Sequence, residues 1–122
     1  MEKFEKTIRY ISLYIIYKDL LTHTQRDIAG DYFLANLSLS EIAEDRNISR
    51  SAVEDAIKKS CVKLDEYESN MHLLEKKEKL LKLTSKLKQK ALNTSEIEEL
   101  EEIEKELNNG IWEPNWKAIA YL

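Results

Sequence analysis

Apolar residues recur at helical spacing along the first twenty positions, and they do so in two stripes. Phe4, Ile8, Ile11 and Ile15 form one, with Tyr10, Tyr14, Tyr17 and Leu21 beside it. This predicts a helix from about Glu2 to Leu20, apolar on more than one side, covered either by its own chain or by a second subunit. Thr22 and Gln25 have the spacing of a capping box, opening a second helix that carries Ile28, Tyr32 and Phe33 and ends near Asn36. Ser38 and Glu41 repeat the device at the head of a short helix containing Leu39, Ile42 and Ala43. The pattern breaks at Arg46-Asn47, because Asn tolerates the left-handed backbone of a tight turn. Ser49 then caps the next helix. Residues 38 to 58 therefore read as a helix-turn-helix: small Ala43 allows a close crossing, Asn47 turns the chain, and Val53 and Ile57 fill the angle.

Beyond Ser51 neither Gly nor Pro appears before Gly110. One helix could run from Ser51 to Leu92, which at ~1.5 Å per residue is about 60 Å; a break around Glu68 to Asn70 is the alternative. Leu73, Leu80 and Leu87 fall seven apart, flanked by Leu74, Leu81 and Leu83, which predicts a leucine seam of coiled-coil kind. Asn93-Thr94-Ser95 supplies a turn and a cap. Ile97, Leu100, Ile103 and Leu107 then lay one narrow stripe on a helix that ends at Asn109-Gly110. The expected architecture is all-α in three parts. Residues 1–67 hold the helix-turn-helix domain, 68–109 a helical hairpin extension, and 110–122 a tail with Trp112, Pro114 and Trp116 that folds back onto the leucine seam or docks a partner.

Composition mainly excludes. Two Gly and one Pro are too few for a turn-rich β fold or a Gly-looped nucleotide fold. One Cys leaves no internal disulfide framework, and two His assemble no metal cluster at a recognised spacing. The expectations are no metal, no cofactor, and a reducing cytoplasm. The longest apolar run, Leu13 to Tyr17, is too short to cross a bilayer, and the N-terminus lacks a targeting pattern. No catalytic constellation emerges either. His23 and His72 stand in polar company, Cys61 has a core-facing spacing, and the carboxylates lie in solvated, charge-alternating runs. The chain is expected to bind rather than catalyse.

Net charge is −4, so no global field draws it to a polyanion. The charge is divided unevenly: residues 71 to 92 hold seven Lys and two Glu, and 93 to 122 two Lys and eight Glu. Two candidate contact surfaces result. If the helix-turn-helix reads DNA, Arg50, Ser51, Glu54, Asp55 and Lys58 face the major groove, with Lys59 close by. Glu54 and Asp55 oppose a polyanion there, and residues 38 to 64 are electrically neutral, so nonspecific affinity for DNA should be feeble. The second surface is Lys79, Lys82, Lys86 and Lys90, spaced +3, +4, +4 on one side of a helix and able to track a phosphate backbone. The Glu-rich helix that follows could instead absorb these lysines.

Three stretches carry a resemblance: Leu20-Leu21-Thr22-His23-Thr24-Gln25, then Ser38-Leu39-Ser40-Glu41-Ile42-Ala43-Glu44, then Ile48-Ser49-Arg50-Ser51-Ala52-Val53 followed by Asp55, Ile57 and Lys58. With Leu64-Asp65-Glu66-Tyr67-Glu68 leading into a leucine-bearing helix, residues 8 to about 90 resemble the YlxM family of small bacterial helix-turn-helix proteins. The helix-turn-helix part is also similar to the promoter-reading domain of sigma factors; the flanking helices favour YlxM. Asn47 stands where that family usually has Gly. The resemblance implies an accessory or regulatory role in the signal recognition particle pathway, through particle RNA or protein. A sequence-specific DNA-binding regulator, or a purely structural module, are the alternatives. Self-association as a homodimer, through the apolar first helix or the leucine seam, completes the expectation.

Overall fold

A computed structural model describes the backbone of residues 2–109 and the side chains of residues 7–108. Those residues form only helices and the turns between them. In order they are α1 (Glu2–Tyr17), a 3-10 turn (Lys18–Leu20), α2 (His23–Phe33), α3 (Leu39–Arg46), α4 (Arg50–Met71), α5 (Leu73–Lys90) and α6 (Thr94–Asn109). They belong to two compact units, one ending at His72 and the other beginning at Leu73.

The local signals that start each helix act as their chemistry dictates. Thr22 accepts a hydrogen bond from the Gln25 amide while the Gln25 side chain accepts one from the Thr22 amide, and Ser38 and Glu41 reciprocate in the same way. Ser49 Oγ accepts from the Ala52 amide to open α4. Asn47 closes α3 at φ 54, ψ 46, donating its amide to Ala43 and Glu44 carbonyls. That is the left-handed turn its side chain makes accessible.

In the first unit α4 is the pivot, packing against α1, α2 and α3. Leu13 and Tyr17 of α1, Ile42 of α3 and Val53 and Leu64 of α4 are wholly enclosed, with Ile28, Ala29 and Phe33 arriving from α2. Of the two stripes on α1, the tyrosine-bearing one turns inward: Tyr14, Tyr17 and Leu21 are buried, together with Leu13 and Ile16. Ile8 and Ile15 remain 48% and 44% exposed. Tyrosine wins the interior because each hydroxyl finds a partner there. Tyr10 donates to Asp65, Tyr17 to Glu68, and Tyr67 of α4 to the Leu20 carbonyl. Tyr14 donates to the Arg26 carbonyl at 2.8 Å.

The Tyr14 contact explains Gly30. A Cβ at position 30 would stand 2.6 Å from the Tyr14 hydroxyl oxygen. Ala there gains ~1 kcal/mol of helix propensity but must displace the ring and break its hydrogen bond, for a net loss of about 1 kcal/mol. Chemical denaturation should show that loss for Gly30→Ala, and a gain when the same change is made alongside Tyr14→Phe.

The long helix predicted from Ser51 to Leu92 is not continuous. It ends at Met71, where His72 adopts a left-handed conformation (φ 55, ψ 30) and donates its amide to the Glu68 carbonyl. The break falls just beyond the Glu68–Asn70 alternative. A non-Gly residue at positive φ costs roughly 1 kcal/mol or more, and sequence pattern gives no cue to such a cap at His.

In the second unit α5 and α6 pack as an antiparallel hairpin joined at 91–93. Here the leucine seam is corrected by one residue. Leu74 and Thr84 are buried and Leu81 half-buried on the inner line of α5, whereas Leu80, Leu83 and Leu87 are exposed. Lys88 takes the next inner place, meeting Glu101 at 3.6 Å and Glu104 at 3.4 Å. On α6, Leu107 is buried and Ile97 and Leu100 half-buried, but Ile103 is 50% exposed, with Glu104 turned inward beside it. Lys88 and Glu104 thus occupy the inner lines, one residue after Leu87 and Ile103. Residues 110–122, with the expected Trp tail, lie outside the described residues.

Candidate nucleic-acid interface

Two separate surfaces carry the predicted contacts. The first is the start of α4. Ser49 uses its side chain on the helix's own amides, so the face that follows is presented by Arg50, Ser51, Glu54, Asp55 and Lys58, all exposed. Val53 and Ile57, on the opposite side, are buried and anchor the helix against its neighbours. The turn that sets this angle is further held by Arg46, whose Nε and Nη2 both donate to Asp31 Oδ2 of α2, at 3.0 and 2.7 Å. Arg46 thus braces α3 against α2, a role that its place in the charge count did not suggest.

The Lys59 ammonium lies 2.9 Å from Asp55, one turn back. That exposed pair neutralises both groups locally. Arg50 and Lys58 are then left with Glu54 as the distinctive charges of this face. It can approach a phosphate or a base edge, but it lacks the excess positive charge that drives nonspecific attraction.

The second surface is on α5. Lys79, Lys82, Lys86 and Lys90 are exposed along one side, and none has an ion-pair partner among the described residues. Absorption by the acidic α6, the alternative reading of this stripe, falls instead to Lys88. Among the described residues the ladder makes no ion pair because it points away from the hairpin seam.

Elsewhere the charged groups pair with one another. A cleft of about 450 Å³ beside the α2–α3 corner is lined by Lys18, Arg26 and Arg46 against Asp19, Asp27 and Asp31, so its charges are matched. His23 is exposed and meets Asp27 at 2.8 Å. Burial, with the Asp65 charge, pushes the Cys61 thiol up to about 11, far from a reactive thiolate. Among the described residues no group of three or more His, Cys, Asp or Glu is gathered for a metal ion, and no helix is long and apolar enough to cross a membrane.

Tyr10 is the group with a readable pH consequence. Its hydrogen bond to Asp65, then desolvation, raise it from 10.0 to about 12. The protonated phenol is thereby favoured in the folded state, so its contribution is complete below pH 10 and is lost as pH rises through about 12. Thermal denaturation should show stability falling across that alkaline window, and Tyr10→Phe should make the fall shallower.

Comparison with known proteins agrees with the helix-turn-helix fold. A family model for UPF0122, described as YlxM / p13 like helix-turn-helix proteins, matches residues 4–104. UPF0122 proteins of Bacillus thuringiensis (strain Al Hakam), Bacillus mycoides (strain KBAB4) and Bacillus cereus (strain AH187) are each 46% identical over 85 residues, covering 70% of this chain and 77% of the relative.

Proposed function

Because this chain belongs to the UPF0122 family of YlxM / p13 like helix-turn-helix proteins, we propose that it is a non-catalytic accessory protein of the signal recognition particle pathway. It acts in the cytoplasm, as a homodimer, and its main contact is an RNA phosphate backbone. The observation that carries this reading is the α5 ladder: Lys79, Lys82, Lys86 and Lys90 are exposed, aligned and without ion pairs among the described residues. Four such charges about one turn apart suit a charged backbone better than a protein surface of mixed sign. The neutral helix-turn-helix then serves as a shaped platform, with Arg50, Lys58 and Lys59 as secondary contacts.

A filter-binding titration with particle RNA and with a duplex DNA of equal length, at physiological salt, tests this directly. Saturable retention of the RNA with little retention of the duplex is the expected result. The exposed face of α4 favours a second reading, a sequence-specific DNA-binding regulator using Arg50, Ser51, Glu54 and Lys58. Retention of one defined duplex, lost on Arg50→Ala, together with indifference to the RNA, would decide for the regulator.

A further inference from the structure

We infer that the open side of the α5–α6 hairpin is a self-complementary surface, on which a second copy of this chain packs to form an antiparallel four-helix bundle. Leu80, Leu87 and Ile103 are 47%, 55% and 50% exposed. Each stands one residue before an inward position, respectively Leu81, Lys88 and Glu104, so at ~100° per residue each is turned by the same angle in the same sense from the seam. In an antiparallel pair, equal rotations of that kind bring both flanks onto one side. Leu80, Leu87 and Ile103 therefore share a single apolar strip.

Charge selects the occupant. Beyond the strip, the outer edge on α5 carries Lys90, three residues after Leu87, and the outer edge on α6 carries Glu99 and Glu106, four before and three after Ile103. All three are exposed. Lys88 meets Glu101 and Glu104 across the hairpin, which puts Lys90 about level with Glu99. A two-fold axis lying in the interface and parallel to the helices sets α5 of one copy over α6 of the other, lysine edge on glutamate edge. Lys90 then faces Glu99 of the second copy, twice. The other in-plane two-fold stacks α5 on α5, lysine on lysine, and is disfavoured by like charge. Lys79 and Lys86 stand one residue before Leu80 and Leu87, further round from the seam, and Lys82 further still. Pairing of hairpins therefore leaves this part of the RNA ladder free.

The inference rests on the self-association included in the proposed function and assigns it a surface. Sedimentation equilibrium of the full chain through the micromolar range tests it. The wild type should approach twice 14.3 kDa. Leu80→Glu with Leu87→Glu should raise the dissociation constant at least about a hundredfold, with helical circular dichroism unchanged because both sites are exposed. Lys90→Glu should weaken pairing about threefold, and Lys90→Glu with Glu99→Lys should restore it. A wild type that stays at 14.3 kDa overturns the inference and self-association together. A dimer indifferent to the leucine pair overturns the hairpin surface alone and leaves the exposed Ile8 and Ile15 of α1 as the seam. A monomer whose Trp112 and Trp116 emission reddens when the leucines are changed identifies residues 110–122 as the cover, and also refutes it.

Discussion

Reversing Lys79, Lys82 and Lys86 to glutamate is expected to lower the affinity for particle RNA by roughly a hundredfold at ~0.15 M salt. Each lysine that neutralises a phosphate releases counterions on binding, so the slope of log affinity against log salt should also flatten by about 2, from ~0.7 per lost contact on a single strand. The three side chains are exposed and form no ion pair within the described residues, so their reversal removes no internal contact. Lys90 is left in place to keep the hairpin edge intact. The matched control is Lys88→Gln, which touches the neighbouring residue type but one already engaged by Glu101 and Glu104; it should cost some stability and little affinity. Equal affinity of wild type and triple variant across a salt series would refute the ladder as the contact.

The largest expected effect on stability comes from Leu64→Ala. Leu64 has no exposed surface and lies on α4, the helix against which α1, α2 and α3 all pack. Truncation removes three carbons from an interior that cannot collapse from one side without moving the others. A loss of about 2–5 kcal/mol follows, large against the ~5–15 kcal/mol total of an ordinary domain. For a unit of this size that corresponds to a fall in melting temperature of roughly 10–30 °C by calorimetry. Val62, two residues away and 57% exposed, provides the comparison. Its replacement by Ala should change stability by no more than ~0.5 kcal/mol. Comparable losses at both positions would mean that α4 is not the pivot.

Where one residue's chemistry decides the backbone, local reading was sufficient. The capping boxes at Thr22 and Ser38, the Ser49 cap and the left-handed turn at Asn47 each depend on groups three or four residues apart, and all stand as read. The helix-turn-helix was legible for that reason. The same reasoning failed at His72, whose left-handed conformation has no local cue. On α5 it did not foresee that the line facing α6 lies one residue on from Leu80 and Leu87, at Leu81 and Lys88.

The candidate contacts divide in the same way. That Arg50, Ser51, Glu54 and Lys58 share a face, and that Lys79, Lys82, Lys86 and Lys90 share another, follows from helical spacing alone. Which charges remain available does not. Lys59 is held by Asp55, Arg46 is held by Asp31 of a different helix, and the lysine that α6 captures is Lys88 rather than any of the ladder.

Chain order was enough, then, to specify an all-helical protein, its helix starts and its turn, because hydrogen bonds between near neighbours and the 3.6-residue period are local quantities. Which of two apolar stripes on α1 is buried, where the long helix breaks, and which cations stay free required the folded chain. Those outcomes turn on competition among side chains far apart in sequence: Tyr10 with Asp65, Tyr17 with Glu68, Lys88 with Glu101.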